Sequence, residues 1–219
     1  MSKYFSYNDS IINCHYRCDE KPKKELFKLH THDNCELYIF LYGKGKFLVE
    51  GNEYYLSNGD ILLMRPAEAH YIDIDTNHPY ERFSIHFGEK FFSAFDKNNL
   101  LTEAFFDRPS GSFNRYSRDD FKPEGYKLLV KNMLADAPDR HLQISSNLLP
   151  LLNEIYGVYK SNYHTHIKGE SLTQQIVRYI NDRITENITL DTICSKFYVS
   201  KPQLCRIFKS ATGSTVQNY

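Results

Sequence analysis

Four polar side chains in the first third of the sequence combine residue types that bind metal ions or polar ligands. His30, His32 and Glu36 all have even numbers and lie close together. Because side chains alternate between the two faces of a strand, these three are predicted to point to one side of a strand or bent strand pair. His70 can reach the same place from a facing strand. Imidazoles and a carboxylate are competent ligands for iron, manganese, nickel or zinc, and with open coordination positions such a site supports oxygenase or isomerase chemistry.

The spacing around these residues resembles the two sequence motifs of the cupin barrels. The first motif is His30-Thr31-His32-Asp33-Asn34-Cys35-Glu36 followed by Gly43, and the second is Gly59-Asp60, Pro66 and His70. Lys24 and Glu68 stand where glycines are usual, so we expect the loops there to differ. The resemblance implies a cupin-like β-barrel, also called a double-stranded β-helix.

Two functions are open for this barrel. In the first, the barrel is not an enzyme and needs no cofactor, and its polar pocket binds a small hydroxylated ligand. The resemblance suggests that this ligand is a sugar or related metabolite. The residues expected to line that pocket are His30, His32, Glu36, Tyr38, Phe40 and His70. In the alternative, a divalent metal is bound by His30, His32, Glu36 and His70, and the chain is a metal-dependent cupin enzyme of oxygenase or isomerase type with an accessory helical domain.

Short strands separated by turn signals must position these residues between about Leu26 and Phe87. In the last strand, apolar and polar side chains alternate from Arg82 to Phe87. We expect His86 on the outward face of that strand, packed under a helix. A short helix and then a loop are predicted between Asn98 and Asn114.

Two longer helices are predicted next, over Pro123–Ala135 and Gln143–Tyr159. Pro150 is expected to kink the second helix or to move its start. Its apolar stripe is broad, which leaves two interpretations: a helix–helix contact in a homodimer, or intramolecular core. The polar segment from Ser161 to Gly169 is interpreted as a linker.

Three short helices are predicted after the linker. Ser171 to Gln174 and Ser200 to Gln203 have capping-box spacing, and Thr189 can cap the helix between them. The last two helices, joined by a tight turn, are typical of a helix-turn-helix. On the last helix, the face opposite the apolar stripe carries Pro202, Cys205, Arg206 and Lys209. Arg206 can hydrogen-bond guanine, and Lys209 can contact a backbone phosphate. Pro202 and Cys205 can make apolar contacts with a thymine methyl group.

These residues resemble the first helix-turn-helix of the AraC/XylS family of bacterial transcription regulators. The similar segments are Ile188-Thr189-Leu190-Asp191-Thr192-Ile193-Cys194, Ser200-Lys201-Pro202-Gln203-Leu204-Cys205-Arg206-Ile207-Phe208-Lys209 and Thr212-Gly213-Ser214-Thr215-Val216-Gln217-Asn218-Tyr219. The resemblance implies that Pro202, Cys205 and Arg206 face the bases of operator half-sites. It also implies a connecting helix and a second helix-turn-helix after Tyr219, so a truncated chain or a fragment is expected. A ligand-binding dimer with no DNA role is a further alternative.

Charge and composition agree with a two-part chain. The 219 residues carry 27 basic and 27 acidic side chains, but residues 172–219 hold six basic against three acidic ones. We therefore expect an α+β chain with a ligand-sensing cupin-like barrel in 1–115, a helical dimerisation and coupling segment in 116–161, a linker in 162–171 and an all-α helix-turn-helix unit in 172–219. The aromatic content of 15% excludes low-complexity disorder. No signal peptide or run of about 18 apolar residues is present, so we expect a cytoplasmic protein that contacts no membrane.

Overall fold

The computed structural model describes residues 3–163, 172–181, 183, 188–212 and 215–216. Within these ranges the strands are β1 (Lys3–Asn8), β2 (Ile12–Asp19), β3 (Cys35–Tyr42), β4 (Gly45–Val49), β5 (Asn52–Tyr55), β6 (Asp60–Met64), β7 (His70–Ile74), β8 (Tyr80–Phe87) and β9 (Arg115–Tyr116). The α-helices are α1 (Glu89–Phe95), α2 (Leu100–Phe106), α3 (Pro123–Leu134), α4 (Arg140–Tyr163), α5 (Leu172–Asn181), α6 (Leu190–Phe197) and α7 (Lys201–Thr212). No described helix has both the length and the apolar character needed to cross a bilayer.

Two antiparallel sheets form the barrel. The larger sheet has the strand order β1-β2-β8-β3-β6-β9, and the smaller has the order β5-β4-β7. The backbones of His30 and His70 exchange two hydrogen bonds of 3.1 and 3.0 Å, which tie the segment before β3 to the smaller sheet. The chain is therefore α+β, with the cupin-like double-stranded β-helix that the sequence motifs predict.

Apolar side chains cover both faces of the larger sheet. On the face toward the smaller sheet, Tyr38 and Phe40 of β3 form a core with Phe47 of β4 and Ile72 of β7. On the opposite face, the odd-numbered residues of β3 and β8 pack with residues of α1, α2, α3 and α4. Because the odd-numbered residues face the helices, the even-numbered polar side chains Glu36 and His86 lie on the face toward the smaller sheet, inside the barrel.

The apolar stripe of α4 lies in this second core. Ile144, Leu148, Leu151 and Ile155 are each fully buried, with an exposed fraction of 0%. The structure therefore assigns the stripe to intramolecular packing, which is one of the two alternatives that the sequence left open. Homodimerisation itself stays a prediction.

The elements after β8 differ from the sequence prediction. α4 continues to Tyr163, so the predicted start of the linker, at Ser161 or residue 162, falls inside a helix, and the rest of the predicted linker, residues 164–171, lies outside the described residues. Pro150 lies inside the same helix with an exposed side chain. The helix α1 was not predicted. The expected division between residues 115 and 116 falls inside β9, and the helices after it share one core with the barrel.

The three C-terminal helices have a core of their own. Ile176 and Ile180 of α5, Ile193 of α6 and Leu204 and Phe208 of α7 are all buried in it.

The caps of α6 and α7 follow the sequence prediction. The hydroxyl oxygen of Thr189 accepts a hydrogen bond from the Thr192 backbone at 3.2 Å, and that of Ser200 accepts one from Gln203 at 3.3 Å. Tyr198 ends α6 in the left-handed region, with φ of 54°. The predicted cap at Ser171 lies outside the described residues.

Candidate functional site

Three imidazoles surround the carboxylate of Glu36 inside the barrel. The Nε2 atoms of His32 and His70 lie 3.1 and 3.3 Å from Glu36 Oε2, and Nε2 of His86 lies 3.7 Å from Oε1. The side chains of Glu36 and His70 are only 7% and 1% exposed, whereas those of His32 and His86 are 17% and 22% exposed. This histidine cluster therefore lies at the rim of the barrel, with Glu36 and His70 at its buried side.

Strand register brings the four residues together. Glu36 lies on the inner face of β3 and is directly paired with His86 of β8. His70 is the first residue of β7 in the facing sheet. His32 precedes β3, and its ring is held by a 2.7 Å contact between Nδ1 and the backbone oxygen of Asn34. The elements therefore converge as the sequence predicted for His32, Glu36 and His70.

The expectation that His86 packs outward under a helix is wrong. Phe83, Ile85 and Phe87 take the helix-facing side of β8, because α1 and α2 cover it with apolar side chains. His86 consequently faces the barrel interior, with its ring centroid 4.9 Å from that of His32. The alternation in the sequence showed two unlike faces, but did not show which face the helices cover.

His30 lies at the edge of the cluster. Its ring is 4.4 Å from that of His70 but 6.3 Å from that of His32, measured between centroids. Its Nδ1 is 2.9 Å from the backbone oxygen of Lys28, and the residue as a whole is exposed. Among the described residues, the group whose ligand atoms all lie within 4.8 Å of one another is His32, Glu36 and His86, and neither His30 nor His70 belongs to it.

The charges in the cluster depend on one another. Burial disfavours the ionised form of Glu36, but the neighbouring His32, His70 and His86 outweigh burial and lower its pKa well below the ordinary value. Burial also disfavours protonated His70, and there the carboxylate of Glu36 prevails and raises the pKa. The pKa of His86 is lowered, mainly by burial. The site therefore stabilises a carboxylate.

A second buried network supports the loop that leads to His70. The guanidinium of Arg108 donates two hydrogen bonds to the carboxylate of Glu68, at 2.9 and 2.8 Å, and both side chains are 0% exposed. The backbone oxygen of Glu68 in turn lies 2.7 Å from Nδ1 of His70. Glu68, which replaces a glycine that is usual in the motif, therefore fixes this loop. The residue of the loop whose backbone adopts the left-handed conformation is Ala67.

Two of the six residues predicted to line a pocket lie deeper. Tyr38 and Phe40 are 6% and 0% exposed in the core between the sheets. The hydroxyl of Tyr38 is hydrogen-bonded to that of Tyr80, and the Phe40 and Tyr80 rings lie 5.9 Å apart. They form the floor beneath the histidine cluster.

Two clefts open beside the cluster. One, of about 410 Å³, is lined by residues that include Asn13, Asn34 and His86. The other, of about 770 Å³, includes Asn34 and Asp33 and extends along α1 and α2 to Phe106. Of the histidine cluster, only His86 lines either cleft, so a small molecule in the smaller cleft reaches the cluster through His86.

The outer face of α7 is exposed at all four predicted positions, Pro202, Cys205, Arg206 and Lys209. Leu204 and Phe208 on the opposite face are fully buried. The helix is thus fixed by its apolar side, and Arg206 projects from the other side.

Comparison with known proteins adds a family match. The profile of the family described as "AraC-like ligand binding domain" matches residues 16–126, a range that contains the whole histidine cluster. The chain is 24% identical to the HTH-type transcriptional activator RhaS of Mannheimia succiniciproducens, over 92% of this chain and 73% of that protein. It is 21% identical to RhaS of Escherichia fergusonii, over 88% of this chain and 69% of that protein. A solved cupin protein from Bacteroides fragilis is 22% identical with a TM-score of 0.34, over 39% of this chain and 76% of its own.

Proposed function

The chain belongs to the family of AraC-like ligand-binding domains, and we propose that it is a transcription regulator that responds to a small molecule. The observation that carries this proposal is the joining, in one chain, of a barrel matched by the family profile and a three-helix unit with an exposed arginine face. The two similar proteins named above are both transcriptional activators, which supports the proposed role in transcription.

The proposed DNA contact is the outer face of α7. Arg206 has the planar fork that binds O6 and N7 of guanine, and Lys209, one turn further on, suits a backbone phosphate. Pro202 and Cys205 are the proposed contacts to thymine methyl groups. The buried Leu204 and Phe208 hold the helix rigidly, so these side chains can enter a major groove without rearrangement of the three-helix core.

The proposed effector site is the rim of the barrel. The imidazoles and carboxylate of the histidine cluster can hydrogen-bond several hydroxyl groups, and the cleft lined by His86, of about 410 Å³, provides room for a molecule of monosaccharide size. A sugar or related metabolite is therefore the proposed effector. The function proposed for the barrel is binding, with no reaction catalysed.

The proposed signal passes through contact between the two units. α7 lies next to β4 of the smaller sheet. A ligand that moves this sheet therefore changes how α7 packs against it. The effector shifts a pre-existing equilibrium between two arrangements by binding one of them better. We propose that a homodimer in the bacterial cytoplasm places two such helices on paired half-sites.

The DNA-binding part of the proposal is tested by selecting duplexes from a random library with the purified chain. Fluorescence anisotropy then measures the Kd for a selected duplex. Arg206→Ala is expected to weaken binding by about 5- to 150-fold, because a bidentate arginine–guanine contact contributes roughly 1 to 3 kcal/mol. Arg118→Ala, at an exposed arginine of the barrel unit, is the matched control and should leave Kd unchanged. If no duplex is enriched, or if both variants bind like the wild type, the DNA contact is wrong.

A further inference from the structure

We propose that a second small-molecule site lies outside the barrel, in the cleft between α3 and the turn that precedes β6, and that this site binds an apolar monocarboxylate. The cleft has a volume of about 710 Å³, which is within the range of small-molecule pockets.

This cleft is separate from the histidine cluster. Its lining includes Leu41, near the end of β3, whereas Glu36 lies near the start of the same strand. At the rise of an extended strand, the two residues are roughly 16 Å apart. They also lie on opposite faces of the larger sheet, because Leu41 packs with the helices and Glu36 faces His70. The proposed site therefore does not depend on the function proposed for the barrel.

Two neighbouring rows of side chains on α3 line the cleft. Residues four apart on a helix lie one above the other. The first row is apolar: Tyr126 and Val130 are buried, and Leu134 is half-buried. The second row carries charge, since Lys127 and Lys131 are both exposed. An amphipathic ligand can therefore place its apolar body along the first row and an anionic group between the two lysines.

The wall opposite α3 is held against the helix. The hydroxyl of Tyr126 donates a 2.8 Å hydrogen bond to the backbone oxygen of Gly59. Gly59 has φ of +92°, and a Cβ there would lie only 3.1 Å from the Arg118 side chain, so the turn is closely packed. Because the hydroxyl of Tyr126 is already hydrogen-bonded, its ring presents an apolar surface to the cleft. A preformed cleft of this kind binds a ligand with little loss of conformational entropy.

The charges around the cleft favour an anion. Arg118 lies 3.4 Å from Asp119, which is the one acidic side chain among the described residues of the lining. This pair is neutral, and neither Lys127 nor Lys131 forms an ion pair with any described residue. Like charges four residues apart on a helix repel each other. A bound carboxylate removes that repulsion, whereas an uncharged ligand does not.

Calorimetric titration of the chain with 2-naphthoate and with decanoate tests the site. The first probe has a flat apolar body and the second a flexible one, and binding of either, at one per chain, is expected. The double variant Lys127→Gln/Lys131→Gln should raise Kd roughly 3- to 30-fold, through the loss of two exposed ion pairs. Lys21→Gln/Lys23→Gln is the matched control, because it removes the same charge from two exposed lysines that do not line the cleft. No binding of either probe, or the same Kd in both double variants, would overturn the proposal.

The uncharged 2-naphthamide separates the effect of charge from that of apolar burial. It should bind the wild type more weakly than 2-naphthoate does, and equally well to the double variant of Lys127 and Lys131. Equal Kd values for the acid and the amide in the wild type would contradict the role given to the lysines. A Kd for 2-naphthoate that rises with chain concentration would mean that a second copy of the chain covers the cleft, and would also overturn the proposal.

Hydrogen exchange locates the bound probe without any variant, so it stays informative if the lysine variants fold poorly. The probe that binds more tightly should slow amide exchange in α3 and leave exchange in β7, which begins at His70, unchanged. Slower exchange around the histidine cluster without slower exchange in α3 would place the probe in the barrel and refute the site. Exchange that changes equally throughout the chain would refute it as well.

Discussion

Replacing Arg108 by methionine should destabilise the barrel strongly. Arg108 is fully buried, and its guanidinium donates to both oxygens of Glu68 as well as to the backbone oxygens of Ala104, Leu63 and Ser112. In Arg108→Met, the carboxylate of Glu68 remains buried without a counter-charge, and all three carbonyls lose a donor, although that of Leu63 keeps the Asn114 amide as a second donor. Methionine is similar in length and unbranched, so the variant removes charge and donors with little change in volume.

The magnitude follows from the burial of this pair. Removal of one partner from a buried ion pair costs about 3 to 5 kcal/mol. For a chain of this size, each kcal/mol lowers Tm by about 2 to 4 °C, so a fall of roughly 6 to 20 °C is expected. Glu68→Gln should cost a similar amount, because it leaves the guanidinium unpaired. The double variant should lose less than the sum of the two single variants.

Thermal unfolding followed by circular dichroism measures these values. Arg118→Met makes the same substitution at an arginine whose side chain is 56% exposed, and Tm should then change by only about 1 or 2 °C. A Tm for Arg108→Met within 2 °C of the wild type, or strictly additive losses in the double variant, would refute the reasoning. Either result would mean that the network is solvated and does not fix the loop before His70.

Three further predictions concern packing, acid stability and backbone strain. Leu151→Ala, in the buried stripe of α4, should lower the free energy of unfolding in urea by about 2 to 5 kcal/mol independently of protein concentration. A loss that depends on protein concentration would instead indicate that the stripe forms a dimer contact. Burial raises the pKa of Asp19, but hydrogen bonds from Arg82 and Arg17 lower it by more, so the net shift of the pKa is downward. The ionised form therefore contributes stability above the ordinary pKa of Asp, and this stability is lost as pH falls. Asp19→Asn should therefore cost about 1 to 3 kcal/mol near pH 7 and clearly less near pH 3, and an equal difference at both pH values would contradict this account. Gly111→Ala should lower stability by about 1 to 3 kcal/mol, because φ is +70° and the new Cβ would lie 2.7 Å from the Val49 backbone oxygen; an unchanged Tm would show that the loop adapts.

The sequence predicted the site where strand periodicity applied and failed where it did not. Glu36 and His70 lie inside regular strands, so their orientation followed from alternation and from the motif. His30 was expected to share the orientation of Glu36. The parity rule fails for it because β3 begins only at Cys35 and the chain bends at residues 33–34. His32 reaches the site because its ring is fixed by the Asn34 carbonyl.

Longer-range information was absent from the sequence. The role of His86 depends on which face of β8 the helices cover, and that depends on packing between elements far apart in the chain. The Glu68–Arg108 pair joins residues separated by 40 positions, with no local signal that relates them. The exposed face of α7, by contrast, follows from the helical period alone, so the sequence located it correctly.

The central claim is that a small molecule bound in the barrel controls binding of DNA by α7. The direct measurement is the Kd for the selected duplex, by anisotropy, with and without the sugar that gives the largest thermal shift in a panel of aldoses, ketoses and deoxy sugars. Coupling between two sites is typically 5- to 150-fold, so Kd should change at least about fivefold. Glu36→Gln should abolish that change while leaving the Kd without sugar unaltered. The same Kd with and without a sugar that binds the wild-type chain would contradict the account.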